Sequence, residues 1–149
     1  MIFEYFIVLL FGLIFGSFGN VLINRLPSTI DIVTPSNCPH CKTNIKFYDN
    51  IPVLSYFFLS GVSRCCQKKI SIQYPLIEIA VGLLALLTFS YSNLSIDTIT
   101  LFLISFALIV LFMTDLKEFI IPNSITYPVA IIGLALSFID YNPFNTGQI

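Results

Sequence analysis

The chain has 149 residues, of which 56% are hydrophobic and only 10% charged, with a formal net charge of −1. That composition sets aside an ordinary water-soluble globular domain, whose apolar residues alternate with polar ones. A charge so close to zero gives no electrostatic reason to expect a nucleic-acid partner, and none is expected.

The apolar residues come in long runs approaching the roughly 20 residues that cross a bilayer as a helix. Four spans are predicted, near 2–23, 75–91, 96–114 and 125–141. The first is expected to be a retained helix and not a secretory signal, because its start carries Glu4 and no basic residue, and Arg25 follows the run instead of preceding it. The expected fold class is an all-α integral membrane protein of about four transmembrane helices, with a small cysteine-containing insert between helices 1 and 2. The predicted organisation is helix 1 over 1–23, an insert over 24–74 and a helical membrane unit over 75–149. Arg25, Lys42, Lys46, Arg64, Lys68 and Lys69 all fall in the insert, and Lys117 follows the third span. The positive-inside rule therefore puts the insert and Lys117 in the cytoplasm. The ends bearing Glu4, Asp97 and Asp140 are expected outside.

The insert holds all four cysteines. Its cytoplasmic placement favours metal binding over disulfides, and zinc is the natural ion. Cys38-Pro39-His40-Cys41 has the two-residue spacing of a zinc knuckle, with Cys65-Cys66 as the second donor group. A regular partner would have thiols two residues apart, but Ser63 stands where the first of them belongs. Cys38, Cys41 and Cys66 are the expected ligands, with Cys65 or His40 as the fourth, and the ion's role is structural. The alternative is a set of reduced cysteines behaving as small hydrophobes. No internal repeat is visible in the residues.

Polar groups gather where the spans meet the cytoplasm. Gly12, Gly16 and Gly19 favour close helix packing. Asn20 and Asn24 share a face that either packs on another helix or binds a peptide backbone. Arg25 is an interfacial anchor or a ligand-binding residue. Glu78, just after Tyr74-Pro75, is either a carboxylate placed at a helix start or an accessory site residue. Asp115 emerges from the run 101–113, either as a solvated helix end beside Lys117 or as an acid–base group at the membrane border.

Several stretches together resemble the type IV prepilin peptidase family, the membrane aspartyl proteases that process pilins. They are Gly16-Ser17-Phe18-Gly19-Asn20-Val21 with Arg25-Leu26-Pro27, Cys38-Pro39-His40-Cys41, Asp49-Asn50-Ile51-Pro52-Val53-Leu54-Ser55-Tyr56 with Gly61, Cys66, Ile70-Ser71, Tyr74-Pro75-Leu76-Ile77-Glu78, and Asp115 with Ile121-Pro122. The resemblance covers about the first 125 residues. It implies a multi-pass protein of the bacterial inner membrane that cleaves prepilin or pseudopilin leaders at the cytoplasmic face. Many such proteins then methylate the new amino terminus with S-adenosylmethionine, an activity the resemblance links to the cysteine insert. It also makes Asp115 the first catalytic aspartate, whose partner belongs to a later Gly-x-Gly-Asp motif.

No Gly-x-Gly-Asp occurs in these 149 residues. Asp140 lies across about 30 Å of bilayer from Asp115, and neither Glu118 nor Asp49 sits in a setting that suggests a dyad. The sequence thus reads as an incomplete form that does not cleave prepilin unaided, with Asn145-Thr146-Gly147-Gln148-Ile149 resembling a break in a longer reading frame. The alternative is a catalytically inactive membrane accessory or prepilin-binding protein. A small four-helix transporter component, with Glu78 and Asp115 lining a polar path, fits the insert least well.

Overall fold

The structure is a computed structural model that describes residues 2–28, 33–38 and 40–137. Pro39, Asp140 and the final residues discussed above lie outside the described residues. Among the described residues five α-helices follow one another: α1 (Ile2–Arg25), α2 (Leu54–Phe58), α3 (Gln73–Ser92), α4 (Ile96–Glu118) and α5 (Asn123–Ser137), with a 3-10 turn at Phe47–Asn50 before α2. Among the described residues there is no strand, only two isolated antiparallel bridges in the insert.

The α1–α3 pair is antiparallel and unusually close, and the glycines of α1 explain why. A Cβ on Gly12 would stand 2.7 Å from Ala85 Cβ and 2.8 Å from Gly82 Cα, and one on Gly16 would stand 2.5 Å from Glu78 Cα. Small residues at that spacing let two backbones touch where lipid provides no hydrophobic drive for association. Helix α4 closes the bundle through Phe102 and Phe106, whose rings meet Phe15 of α1 edge-on at 5.5 and 5.7 Å between centroids. The buried core is Ile23, Ile77, Val81, Ala85, Phe102, Phe106 and Val110.

Helix ends obey ordinary capping chemistry. Ser95 caps α4 by accepting a hydrogen bond from Thr98 N at 3.2 Å, with Asp97 in the first turn and Lys117 in the last. Phe119 ends it in the left-handed conformation, its N–H bonding Asp115 O at 2.8 Å. Helix α3 starts two residues before Pro75, where the missing N–H of proline costs nothing because the first four amides of a helix have no internal partner.

Three helices, Ile2–Arg25, Gln73–Tyr91 and Ile96–Glu118, are long and apolar enough to cross a membrane. Their outward residues are large and apolar: Ile14 is 61% exposed, Leu87 67% and Phe112 63%. Such a surface is stable against lipid, and the chain is an all-α membrane protein. The fourth expected span is described as a helix of 15 residues with Pro128 inside it, and only Ile125 of that helix packs against the core.

Candidate functional site

The polar residues singled out in the sequence collect at one end of the bundle, the end that carries the insert. Asn20 is 2% exposed, and its Nδ2 donates to Tyr74 O on α3 at 3.0 Å and to Gly16 O at 3.4 Å. Its Oδ1 is buried without a hydrogen-bond donor among the described residues. One turn further out, Asn24 Nδ2 donates to Asn20 O at 2.7 Å and weakly to the Tyr74 hydroxyl at 3.5 Å, while Lys117 Nζ of α4 donates to Asn24 Oδ1. Two asparagines thus fasten α1 to both other long helices. Asp115, two residues before that lysine, is exposed on α4 at the same end.

Arg25 reaches the other way. Its guanidinium donates to the carbonyls of Thr34 at 2.6 Å and Pro35 at 3.4 Å, tying the end of α1 to the start of the first cysteine loop. Asp49 is engaged as well: Arg64 grips it through Nε at 3.0 Å to each carboxylate oxygen and Nη2 at 2.9 Å. That pairing holds the Arg64 guanidinium pKa above its ordinary value, and it spends the carboxylate of Asp49 on the fold of the insert.

Glu78 is 7% exposed and faces the insert, with Val53 N donating to Oε2 at 2.7 Å. Val53 has φ 62 and ψ −51, a strained conformation for a β-branched residue. The carboxylate therefore pins a strained turn of the insert to the membrane helices. Glu78→Ala is expected to leave that part-buried N–H without its partner, at a cost of about 1 kcal/mol. Limited trypsin digestion at Arg64 and Lys68 should accelerate, and Glu78→Gln, which keeps an acceptor, should lose less. Equal digestion of all three proteins would rule out the pin.

The insert contains two cysteine loops of the same build, a repeat that the residues alone did not reveal. In the first, Cys38 N bonds Thr43 O, Lys42 N bonds Cys38 O and Ile45 N bonds Ser36 O, at 2.9, 2.9 and 2.8 Å. The second reproduces each bond: Ser63 N to Lys68 O, Gln67 N to Ser63 O and Ile70 N to Gly61 O, at 2.8, 2.9 and 2.8 Å. Lys42 and Gln67 occupy equivalent left-handed positions, with φ 60 and 57. The bridges Asn37–Asn44 and Val62–Lys69 also match. Cys41 corresponds to Cys66, Cys38 to Ser63, and His40 to Cys65. The similarity was hidden because the backbone pattern is kept while few side chains are.

The loops face each other, and the sulfurs of Cys38, Cys41, Cys65 and Cys66 all lie within 4.8 Å of one another, a group that can hold a metal ion. It is Cys65, not His40, that joins the other three. Tetrahedral zinc with Zn–S bonds of about 2.3 Å separates its sulfurs by about 3.8 Å. Cys38 and Cys66 stand at 3.8 Å, whereas Cys41 and Cys65, at 2.9 Å, have to part slightly. The donor set fits zinc. Backbone amides of the loop also prepare it: hydrogen bonding from Cys41 N–H is the main cause that lowers the Cys38 thiol pKa. The contact between the Cys41 and Cys65 thiols is the main cause that lowers Cys41 to about 6 and pushes Cys65 up to about 12. Ser63 Oγ lies 3.0 Å from Cys66 Sγ, at the edge of the same cluster.

Comparison with known proteins places the chain in a family. The family described as Bacterial Peptidase A24 N-terminal domain matches residues 10–92, which include the glycine face of α1, both cysteine loops and α3. A prepilin leader peptidase/N-methyltransferase of Vibrio cholerae is 38% identical over 94% of this chain and 59% of its own length. Proteins of the same name from Klebsiella pneumoniae and Myxococcus xanthus are 37% and 38% identical, over 83% and 89% of this chain and 57% and 41% of theirs. The chain spans about half the length of the relatives it matches. No solved structure matches it. With more than half of its residues inside the matched region, the chain belongs to the bacterial peptidase A24 N-terminal domain family.

Proposed function

We propose that this protein supplies part of a prepilin leader peptidase/N-methyltransferase of the bacterial inner membrane, with the insert and Asp115 on the cytoplasmic side. The observation that carries the reading is that Asp115 is exposed at the insert-bearing end of α4, beside the Lys117–Asn24 tether that fixes this end of α4 to α1. A carboxylate there reaches the border where a pilin-like leader meets its membrane-spanning segment.

Asp115 is one of two aspartates in the proposed reaction, and the other comes from a Gly-x-Gly-Asp motif beyond this sequence. Two neighbouring carboxylates cannot both ionise, so one holds a proton and polarises the scissile carbonyl while the other activates water. In this scheme the helical unit from 75 onward begins the peptidase domain, and the insert over 24–74 belongs to the methyl-transfer part. Cys38, Cys41, Cys65 and Cys66 would hold zinc, which supplies a structural cross-link between the two loops. S-adenosylmethionine would be the methyl donor to the new amino terminus. Asn20 and Arg25 organise the helix ends near the substrate, and Glu78 holds the insert in place.

The reading is tested by reconstituting the purified chain in liposomes with a pilin-like precursor, alone and together with a co-expressed segment carrying Gly-x-Gly-Asp. Leader removal is expected only with both pieces, as a mobility shift of the precursor. Binding of the precursor without cleavage under every condition would favour a non-catalytic accessory.

A further inference from the structure

We propose that the short helix α2 lies in the membrane interface, with Leu54, Phe57 and Phe58 inserted at the boundary between lipid headgroups and acyl chains. These three residues are 54%, 69% and 84% exposed. Their i, i+3, i+4 spacing places them on one helical stripe. The residues between them face inward: Ser55 and Tyr56 are half-buried, and the Tyr56 hydroxyl lies against Gly61 at the base of the second cysteine loop.

The depth of α2 follows from the tethers. Tyr74 O bonds Asn20, so the first turn of α3 is level with Asn20, while the Asn24–Lys117 contact lies one turn further out, about 6 Å along the axis. Side chains lean toward the N-terminus of their helix, so Glu78 reaches back to that first turn. Val53, held there at 2.7 Å, is the residue immediately before α2. The stripe therefore begins inside the plane of Asn24 and Lys117, where the hydrocarbon of α1 has already started.

Other exposed apolar side chains flank α2 in the chain and at the start of α3. Ile72, just before α3, and Leu76 on its first turn are 63% and 56% exposed, and Ile51, before the Val53 turn, is 43% exposed. Lys68 and Lys69 are exposed on the second loop, a charge complement to anionic headgroups. A helix with one apolar face and basic residues nearby binds in the interface plane. In water the same stripe would be an uncovered patch of two phenylalanines and a leucine.

The chain contains no tryptophan, so single Phe57→Trp and Phe58→Trp variants report their own surroundings. Each is reconstituted in phosphatidylcholine–phosphatidylglycerol liposomes, and Leu87→Trp serves as a marker on the lipid-facing side of α3. Insertion to interfacial depth predicts blue-shifted emission and loss of about half the intensity with lipids brominated in the upper acyl chain. Aqueous iodide should quench weakly. Water-like emission with free iodide quenching at both positions, while Leu87→Trp is quenched by deeply brominated lipid, overturns the proposal without touching the membrane bundle. Failure at Leu87→Trp overturns the bundle and the proposal with it. Burial that appears only on adding a pilin-like helical peptide would assign the stripe to that peptide and overturn the lipid assignment.

Discussion

Replacing Cys38 with serine is expected to abolish stoichiometric zinc in the purified protein and to open the insert to protease while the membrane helices stay folded. The two loops contribute two thiols each, and among the described residues no continuous sheet joins them. Beyond the cysteines, the clearest link from the second loop is Arg64 to Asp49, an ion pair whose arginine is largely exposed and which therefore contributes little. An insert of this size buries too little apolar surface to hold itself, so a metal cross-link should dominate its stability. Structural zinc contributes on the order of 10 kcal/mol in small domains, and loss of one thiolate forfeits much of that. Trypsin cleavage at Arg64, Lys68 and Lys69 should then rise more than about tenfold, the change that 1.4 kcal/mol produces in an opening equilibrium. Helical circular dichroism should barely change, because the bundle core contains no insert residue. Chelator treatment of the unaltered protein should give the same digestion pattern.

The irregular second loop allows a sharper form of that test. Ser63 occupies the backbone position equivalent to Cys38, and its Oγ is 3.0 Å from Cys66 Sγ. A thiol at 63 would therefore stand within reach of the other sulfurs. The double variant Ser63→Cys with Cys65→Ser should retain one zinc per chain, whereas Cys65→Ser alone should lose it. Stoichiometric zinc in Cys65→Ser and Cys38→Ser alike, measured by elemental analysis, would show that the four sulfurs are not the ligand set.

The bundle was legible in the sequence because lipid imposes one requirement on every residue of a span. Predicted spans at 2–23, 75–91 and 96–114 became helices at Ile2–Arg25, Gln73–Ser92 and Ile96–Glu118. The differences lie at polar ends, where Asn24, Gln73 and Lys117 continue a helix that hydropathy alone would stop. The cysteine group was legible from type and spacing, with its fourth member left open between Cys65 and His40. The turn that brings the adjacent Cys65 and Cys66 into one group contains the left-handed Gln67, a conformation that glutamine does not advertise. The partners of Glu78 and Lys117 were illegible for a different reason. Val53 N–H and Asn24 Oδ1 lie far from them in the chain, and only the helix packing brings them near.

Asp115→Asn is expected to reduce leader cleavage by about a thousandfold or more wherever the complete peptidase is assembled, because acid–base groups of this kind carry rate factors of about 10² to 10⁴. An asparagine preserves the shape of the side chain but can neither hold nor accept the proton that a carboxylate pair shares. Asp115→Glu retains the charge and displaces it by one methylene, which should leave a rate reduced by about 10². Two other acids at the same end provide the contrast. Glu118 is exposed in the last turn of α4, and Asp49 is held by Arg64. Glu118→Gln should change the rate little, and Asp49→Asn, which weakens only a surface ion pair of the insert, should leave zinc content and rate nearly unchanged. Precursor binding, followed by co-purification, should survive Asp115→Asn, since the helix contacts at Asn20, Asn24 and Lys117 do not involve its carboxylate. Cleavage that persists at full rate in Asp115→Asn would remove this residue from the chemistry and leave the polar helix ends as a binding surface only.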